Sequence, residues 1–196
     1  AEARLRRNPS AVHDLKAVLE FRRAHAHTRK TDLLVDIAGP LAVHAKYTRD
    51  EILIGLGRWE LDQRPRFTEG VLHLADQKVD AFFVTLHKTE DGYSPTTMYE
   101  DYAISDRLFH WQSQSTTSAD SPTGQRYIHH RKEGYTPLLF VREHKYLPGG
   151  LASPYAFLGP AHYMSHEGSR PMSVTWQLET PMPARLLTRV ARGQTA

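Results

Sequence analysis

Near Gly70 the spacing of apolar residues changes from a helical to a strand period. Before it, Leu5, Val12, Leu15, Val18, Leu19 and Phe21 recur three or four residues apart, the stripe of an amphipathic helix. Asn8-Pro9-Ser10 supplies its start signal, with Asn8 as cap and Pro9 in the first helical position. A second helix is predicted after Tyr47, where Thr48 and Glu51 have capping-box spacing. Ile52, Leu53 and Leu56 form its apolar face, and Gly55 or Gly57 can end it.

Beyond Gly70, Val71, Leu72 and Leu74 and then Val79–Leu86 read as strands rich in β-branched and aromatic residues. Further strands are predicted at Arg126–His129, Leu138–Arg142, Tyr155–Leu158, Ala161–Ser165 and Met172–Leu178. Glu133-Gly134, Pro148-Gly149-Gly150 and Glu167-Gly168-Ser169 provide turns between them. The expected fold class is α+β, with a short helical N-terminal part packed on a mainly antiparallel, barrel-like or strongly bent sheet. The expected divisions are a helical region at 1–66, a β-rich domain at 67–185 and a frayed, Arg-rich tail at 186–196.

Composition narrows the function. With 40% hydrophobic and 24% charged residues, the 196-residue chain can bury a core and is neither disordered nor membrane-like. The 25 Lys and Arg exceed the 22 Asp and Glu by three, and the pI is about 9.2, which permits an anionic partner without requiring one. The 12 histidines would add charge in mild acid. The absence of cysteine excludes a disulfide framework, a zinc ribbon and thiol catalysis, and cytoplasm is the default compartment. No apolar run reaches 18 residues, so no membrane partner is expected. The start at Ala1, without Met or a signal pattern, reads as a piece of a longer polypeptide.

The densest polar segment runs from Ser94 to Ser118. Gln112, Ser113, Gln114, Ser115, Thr116 and Thr117 carry donors and acceptors but no charge, groups suited to reading base edges or sugars. Tyr99, Tyr102, Phe109 and Trp111 interleave with them and can either stack on a base or pack into the core. Ser121-Pro122-Thr123-Gly124-Gln125-Arg126 is a hydroxyl-rich turn of a kind that can hold phosphate, although it lacks the Walker ending. Arg22–Lys30 is basic and reads as a solvated connector or a phosphate-contacting arm.

Metal and catalytic signals are weak. His129 and His130 would point to opposite faces of a strand, and neither they nor His25 and His27 belong to a zinc framework. Neither a metal nor another cofactor is expected. Glu100, Asp101 and His110 could be imagined as a hydrolase set, but no nucleophile-base spacing or Gly-x-Ser-x-Gly supports it.

Several stretches together resemble one family. They are Thr48–Leu53, Asp80–Lys88, Ser94–Ser105, Phe109–Ser115, Thr123–Tyr127 and Gly168–Met172, so the resemblance covers roughly residues 40–185. The family is a bacterial domain of unknown function found at the C-terminus of superfamily 2 helicases of the type III restriction subunit kind, and also in HNH-nuclease restriction proteins. The resemblance implies a setting in restriction or phage defence, with the helicase or nuclease elsewhere in the same polypeptide. By analogy at fold level, a bent β module with an aromatic, amide-rich loop is similar in kind to PUA/SRA-like readers of modified DNA.

Three readings follow. In the first, the chain is a non-catalytic module that recognises double-stranded DNA, modified or plain, for the attached effector. Its candidate site residues are Tyr99, Tyr102, Trp111, Gln112, Ser113, Gln114, Ser115, Thr123, Arg126 and Arg170. Trp111 and Arg126 would share one DNA-facing site, the ring on a base and the guanidinium on phosphate. The alternatives are a nuclease or hydrolase module using His110, Asp101 and Glu100, and a docking domain for a partner protein.

Overall fold

The structure, a computed structural model, describes residues 12–14, 16, 17, 20, 29, 30, 41–58, 67–87, 101–184, 186 and 187. The Asn8-Pro9-Ser10 start, Arg22–Thr28, Tyr99, Glu100 and the tail after Leu187 lie outside them. In the region expected to be helical, residues 12–14, 16, 17 and 20 are helical. The short strands β1 (Arg29–Lys30), β2 (Ala42–Val43) and β3 (Lys46–Tyr47) and the helix α1 (Arg49–Gly55) follow.

The expected capping box opens α1: the Glu51 N–H donates to Thr48 Oγ1 (3.3 Å), and the Thr48 N–H donates to Glu51 Oε2 (2.7 Å).

The main sheet comprises β4 (Val71–Leu74), β5 (Val79–His87), β6 (Tyr102–Ala103), β7 (Leu108–Gln112), β8 (Thr136–His144), β9 (Tyr155–Glu167) and β10 (Ser173–Leu178), with β3 added. Its order is β4-β5-β8-β9-β10-β7-β6, and β3 pairs with the start of β9. The fold is therefore α+β with a large, mainly antiparallel sheet, and the sheet is open rather than closed into a barrel.

One pair departs from the antiparallel expectation: β5 and β8 run parallel. Both strands are covered on two faces. Ala81, Phe83, Leu138 and Phe140 turn toward a core with Leu41, Val43, Ile52 and Leu56 from β2 and α1. Phe82, Val84, Leu139 and Val141 turn toward a second core with Trp111, Trp176 and Met172. Strands buried on both sides are apolar at nearly every position, and here Asp80 and Thr85 on β5 are the buried polar exceptions; such two-sided burial accommodates parallel pairing.

The strand β9 serves both halves of the sheet because it bends. Two extra residues, Leu158 opposite β8 and Met164 opposite β10, shift its register. At the first bulge Gly159 has φ +95°, and a Cβ there would meet the Val43 side chain at 3.1 Å. The two strands expected at Tyr155–Leu158 and Ala161–Ser165 are thus one strand running through Gly159-Pro160.

A second correction concerns Arg126–His129, which is not a strand. The helix α2 spans Pro122–Ile128 and α3 spans His130–Glu133. Ser121 caps α2, its Oγ accepting from the Gly124 N–H (3.1 Å), and Pro122 occupies the first turn. The presumed phosphate turn is this helix start, its serine oxygen already engaged.

Candidate nucleic-acid interface

The strand β7 decides where the predicted recognition residues sit. Its alternation buries Phe109 and Trp111 and leaves Leu108, His110 and Gln112 partly accessible. Trp111 is only 6% exposed, with its ring edge-on to Phe82 at 4.7 Å and to Tyr127 at 5.6 Å. It is a core residue, and no face of it is free to stack on a base. Tyr102 is half-buried and stacks on His110 at 4.6 Å.

The Arg126 side chain is 14% exposed and grips the buried Asp80 with two bonds, Nε to Oδ2 (2.8 Å) and Nη2 to Oδ1 (3.2 Å). Asp80 Oδ1 also lies 2.9 Å from His73 Nδ1. Burial alone would lower the Arg126 pKa, but the bonds and charge of Asp80 outweigh it and raise the pKa above its ordinary value. Arg126 is thus an internal ion-pair partner, and the expected pairing of Trp111 and Arg126 in one DNA-facing site is not formed.

The other predicted residues divide. Ser113 is buried, its Oγ accepting from the Met172 N–H (2.8 Å) and donating to the Gln114 carbonyl (3.2 Å). Gln112 and Thr123 are half-buried. Gln114, Ser115 and Arg170 are exposed and belong to one end of the sheet, where Ser113 meets Met172 and the Ala119 N–H donates to Ser169 Oγ (3.3 Å). Of the imagined hydrolase set, Asp101 is buried and accepts from the Gln112 N–H (2.9 Å). Among the described residues no three His, Asp or Glu side chains gather as a metal would require.

A different site lies at the opposite end of β9, about 40 Å of strand away along its 13 residues. An open cleft of about 740 Å³ is lined by Arg49, Asp50, Phe67, Arg142, Ser153 and Tyr155, among others. Arg49 leaves the first turn of α1 and lies over the Phe83 ring at 4.5 Å, with Phe67 and Tyr155 at 5.3 and 5.6 Å. Its Nη1 donates to the carbonyls of Phe67 (3.3 Å) and Glu69 (3.0 Å), and its Nη2 donates to the Tyr155 hydroxyl (2.9 Å).

Arg142, near the end of β8, lies 4.4 Å from the Tyr155 ring centre. Its Nε donates to Thr85 Oγ1 (2.9 Å), and its Nη1 donates to the carbonyls of Lys145 (3.3 Å) and Ser153 (3.4 Å). A guanidinium has five N–H groups. Each of these uses three, leaving Nε–H and one Nη2–H on Arg49 and both Nη2–H groups on Arg142 without a partner among the described residues.

Nor does any carboxylate among the described residues form an ion pair with either arginine. Two cations beside one buried tyrosine, fixed by carbonyls and with donors to spare, favour an anion in the cleft, and Asp50 offsets only part of that charge. Neither arginine stands out in the sequence. Arg49 was hidden inside a capping motif, and Arg142 looked like the end of an apolar strand. The available signal was a charged residue closing a run otherwise buried on both faces.

Fold and cleft together define an α+β module with an open, bent sheet and a cationic cleft at one end of its longest strand. The chain matches the family described as a domain of unknown function (DUF3427) over residues 41–190, and it belongs to that family. The resemblance carried by the motifs from Thr48 to Met172 is met at this level. No curated protein matches the chain. Among solved structures, it is similar to the DNA recognition domain of the cytosine modification-dependent restriction endonuclease LpnPI, with 11% identity and a TM-score of 0.32. That similarity covers 57% of this chain and 59% of the other.

Proposed function

We propose that this chain is a DNA-recognition module of a restriction or helicase-nuclease protein, sensing modified duplex DNA for an effector elsewhere in the same cytoplasmic polypeptide. The observation that carries the reading is the pair of held guanidiniums, Arg49 and Arg142, with unused N–H groups lining one open cleft. A phosphodiester is the anion that fits a fork of this kind, and phosphate contacts position a duplex without specifying its sequence. Gln114, Ser115 and Arg170, exposed at the far end of β9, remain the candidates for further base-edge or phosphate contacts from the predicted set.

The test is binding of the chain to duplexes of one sequence, plain, cytosine-methylated or phosphorothioated, across a salt series. The parent should bind with a marked salt slope, and Arg142→Gln should reduce that slope by roughly one, the signature of one lost phosphate contact. Preference for one modified duplex would support modification sensing. Equal affinity for all three would remove it and leave plain DNA binding. No affinity for any duplex at low salt would refute the reading and favour protein docking.

A further inference from the structure

The connection from β8 to β9 carries a projecting apolar tip. Tyr146, Leu147 and Leu151 are 55%, 44% and 72% exposed, within a stretch of only six residues. Single exposed apolar residues are ordinary, but a cluster on one projection marks an interaction site.

The tip is not a slack loop. Tyr146 and Ala152 form a bridge, the Leu147 N–H donates to the Leu151 carbonyl (2.8 Å), and the Gly150 N–H donates to the Leu147 carbonyl (3.0 Å). Gly149 and Gly150 turn the chain with φ of +94° and +83°, conformations that a side chain would strain. At the root, the Ser153 N–H donates to the Lys145 carbonyl (3.0 Å), and Arg142 Nη1 bonds the carbonyls of both residues. One arginine therefore lines the cleft and clamps the base of the hairpin.

We infer that this hairpin is a wedge: with backbone phosphate held at Arg49 and Arg142, Leu147 and Leu151 enter a groove of the duplex and partly unstack a base step. The inference rests on the DNA-binding reading and adds how the duplex is engaged. At the hairpin root Arg142 keeps both Nη2–H groups unused among the described residues, while Glu143 beside it offsets part of the charge. This selects a polyanion over an apolar protein surface as the partner, because docking on an apolar surface would bury the guanidinium with those donors unmet. Apolar side chains inserted beside phosphate-holding cations are a general means of kinking duplex DNA. Rigidity supports the same use, since a preformed tip loses little conformational freedom on insertion.

The experiment uses the whole chain, a duplex carrying 2-aminopurine in its centre, and the double variant Leu147→Ser/Leu151→Ser. These residues are exposed, so the variant should melt with the parent. Parent binding should raise the 2-aminopurine fluorescence, and the variant should lose that rise and bind paired duplex about tenfold more weakly. It should keep the parent's salt slope and recover affinity on a duplex already unstacked by a central mismatch.

A parent that binds with its salt slope but leaves the fluorescence unchanged overturns the wedge and spares the DNA reading. A variant indistinguishable from the parent does the same. A parent that binds no duplex at low salt overturns both.

Discussion

Replacing Asp80 with Asn tests whether Arg126 is a structural ion-pair partner rather than a DNA contact. Asp80 sits on β5 with its carboxylate buried, accepting both bonds from Arg126 and lying against His73. The amide keeps the shape but has one acceptor oxygen instead of two and no charge, so Arg126 is left largely buried beside a neutral group. Charged hydrogen bonds contribute about 1.5–3 kcal/mol, and removing one partner of a buried pair costs about 3–5 kcal/mol. The Arg126 side chain retains some access to water, which places the expected loss near 3 kcal/mol. For a chain of this length, that is a fall in melting temperature of about 6–12 °C.

Calorimetry or urea denaturation measures it, and a double-mutant cycle with Arg126→Met isolates the pair. With both charges gone no orphan remains, so the double variant should be less destabilised than the two single losses added together. The coupling should reach about 2 kcal/mol. An Asp80→Asn variant within 1 kcal/mol of the parent, or strictly additive losses, would refute the reasoning and return Arg126 to the list of free cations.

Two further outcomes follow from buried groups. The Tyr163 N–H donates to His130 Nε2 (3.1 Å), so His130 is neutral with its proton on Nδ1, which donates to the Tyr135 carbonyl (3.1 Å). Burial, with help from His162 and Arg131, lowers its pKa from 6.5 despite the opposing pull of the Tyr135 carbonyl and Asp80. Below pH 6.5 the unfolded chain takes up a proton that the fold resists, so the stability is full above that pH and falls as the pH drops toward the lowered folded value. Urea denaturation between pH 5 and 7.5 should show a shallower fall in His130→Gln, and equal slopes would contradict the assignment. Gly124→Ala should cost more than about 2 kcal/mol by urea denaturation, since the new Cβ would overlap the Ser118 carbonyl and meet that of Ala119 at 2.9 Å; a neutral result would mean that the turn before α2 yields.

The fold was legible in the chain wherever one local rule acted alone. The Thr48 and Glu51 spacing announced α1, and the mostly apolar run Val79–Leu86, interrupted at Asp80 and Thr85, together with Leu138–Val141 announced central strands. The same runs held a hint of two-sided burial, which explains the parallel β5–β8 pair, but periodicity cannot specify a strand's partner. Ser121-Pro122 suits a turn as well as a helix cap and first position; only the packing of Tyr127 against Phe82 and Trp111 decides between them. The candidate site was less legible for a related reason. Trp111 resembles a stacking platform in composition, yet it alternates with His110 and Gln112, and that alternation assigns it to the core. Arg126 and Arg142 are indistinguishable as sequence letters. What separates them is whether a carboxylate folds back from a distant strand: Asp80 does so for Arg126, while Arg142 receives only carbonyl and hydroxyl partners and so keeps donors for a ligand. On the proposed reading, recognition is thus a difference between cations with and without a carboxylate partner, a property that exists only once β5, β8 and α2 have been brought together.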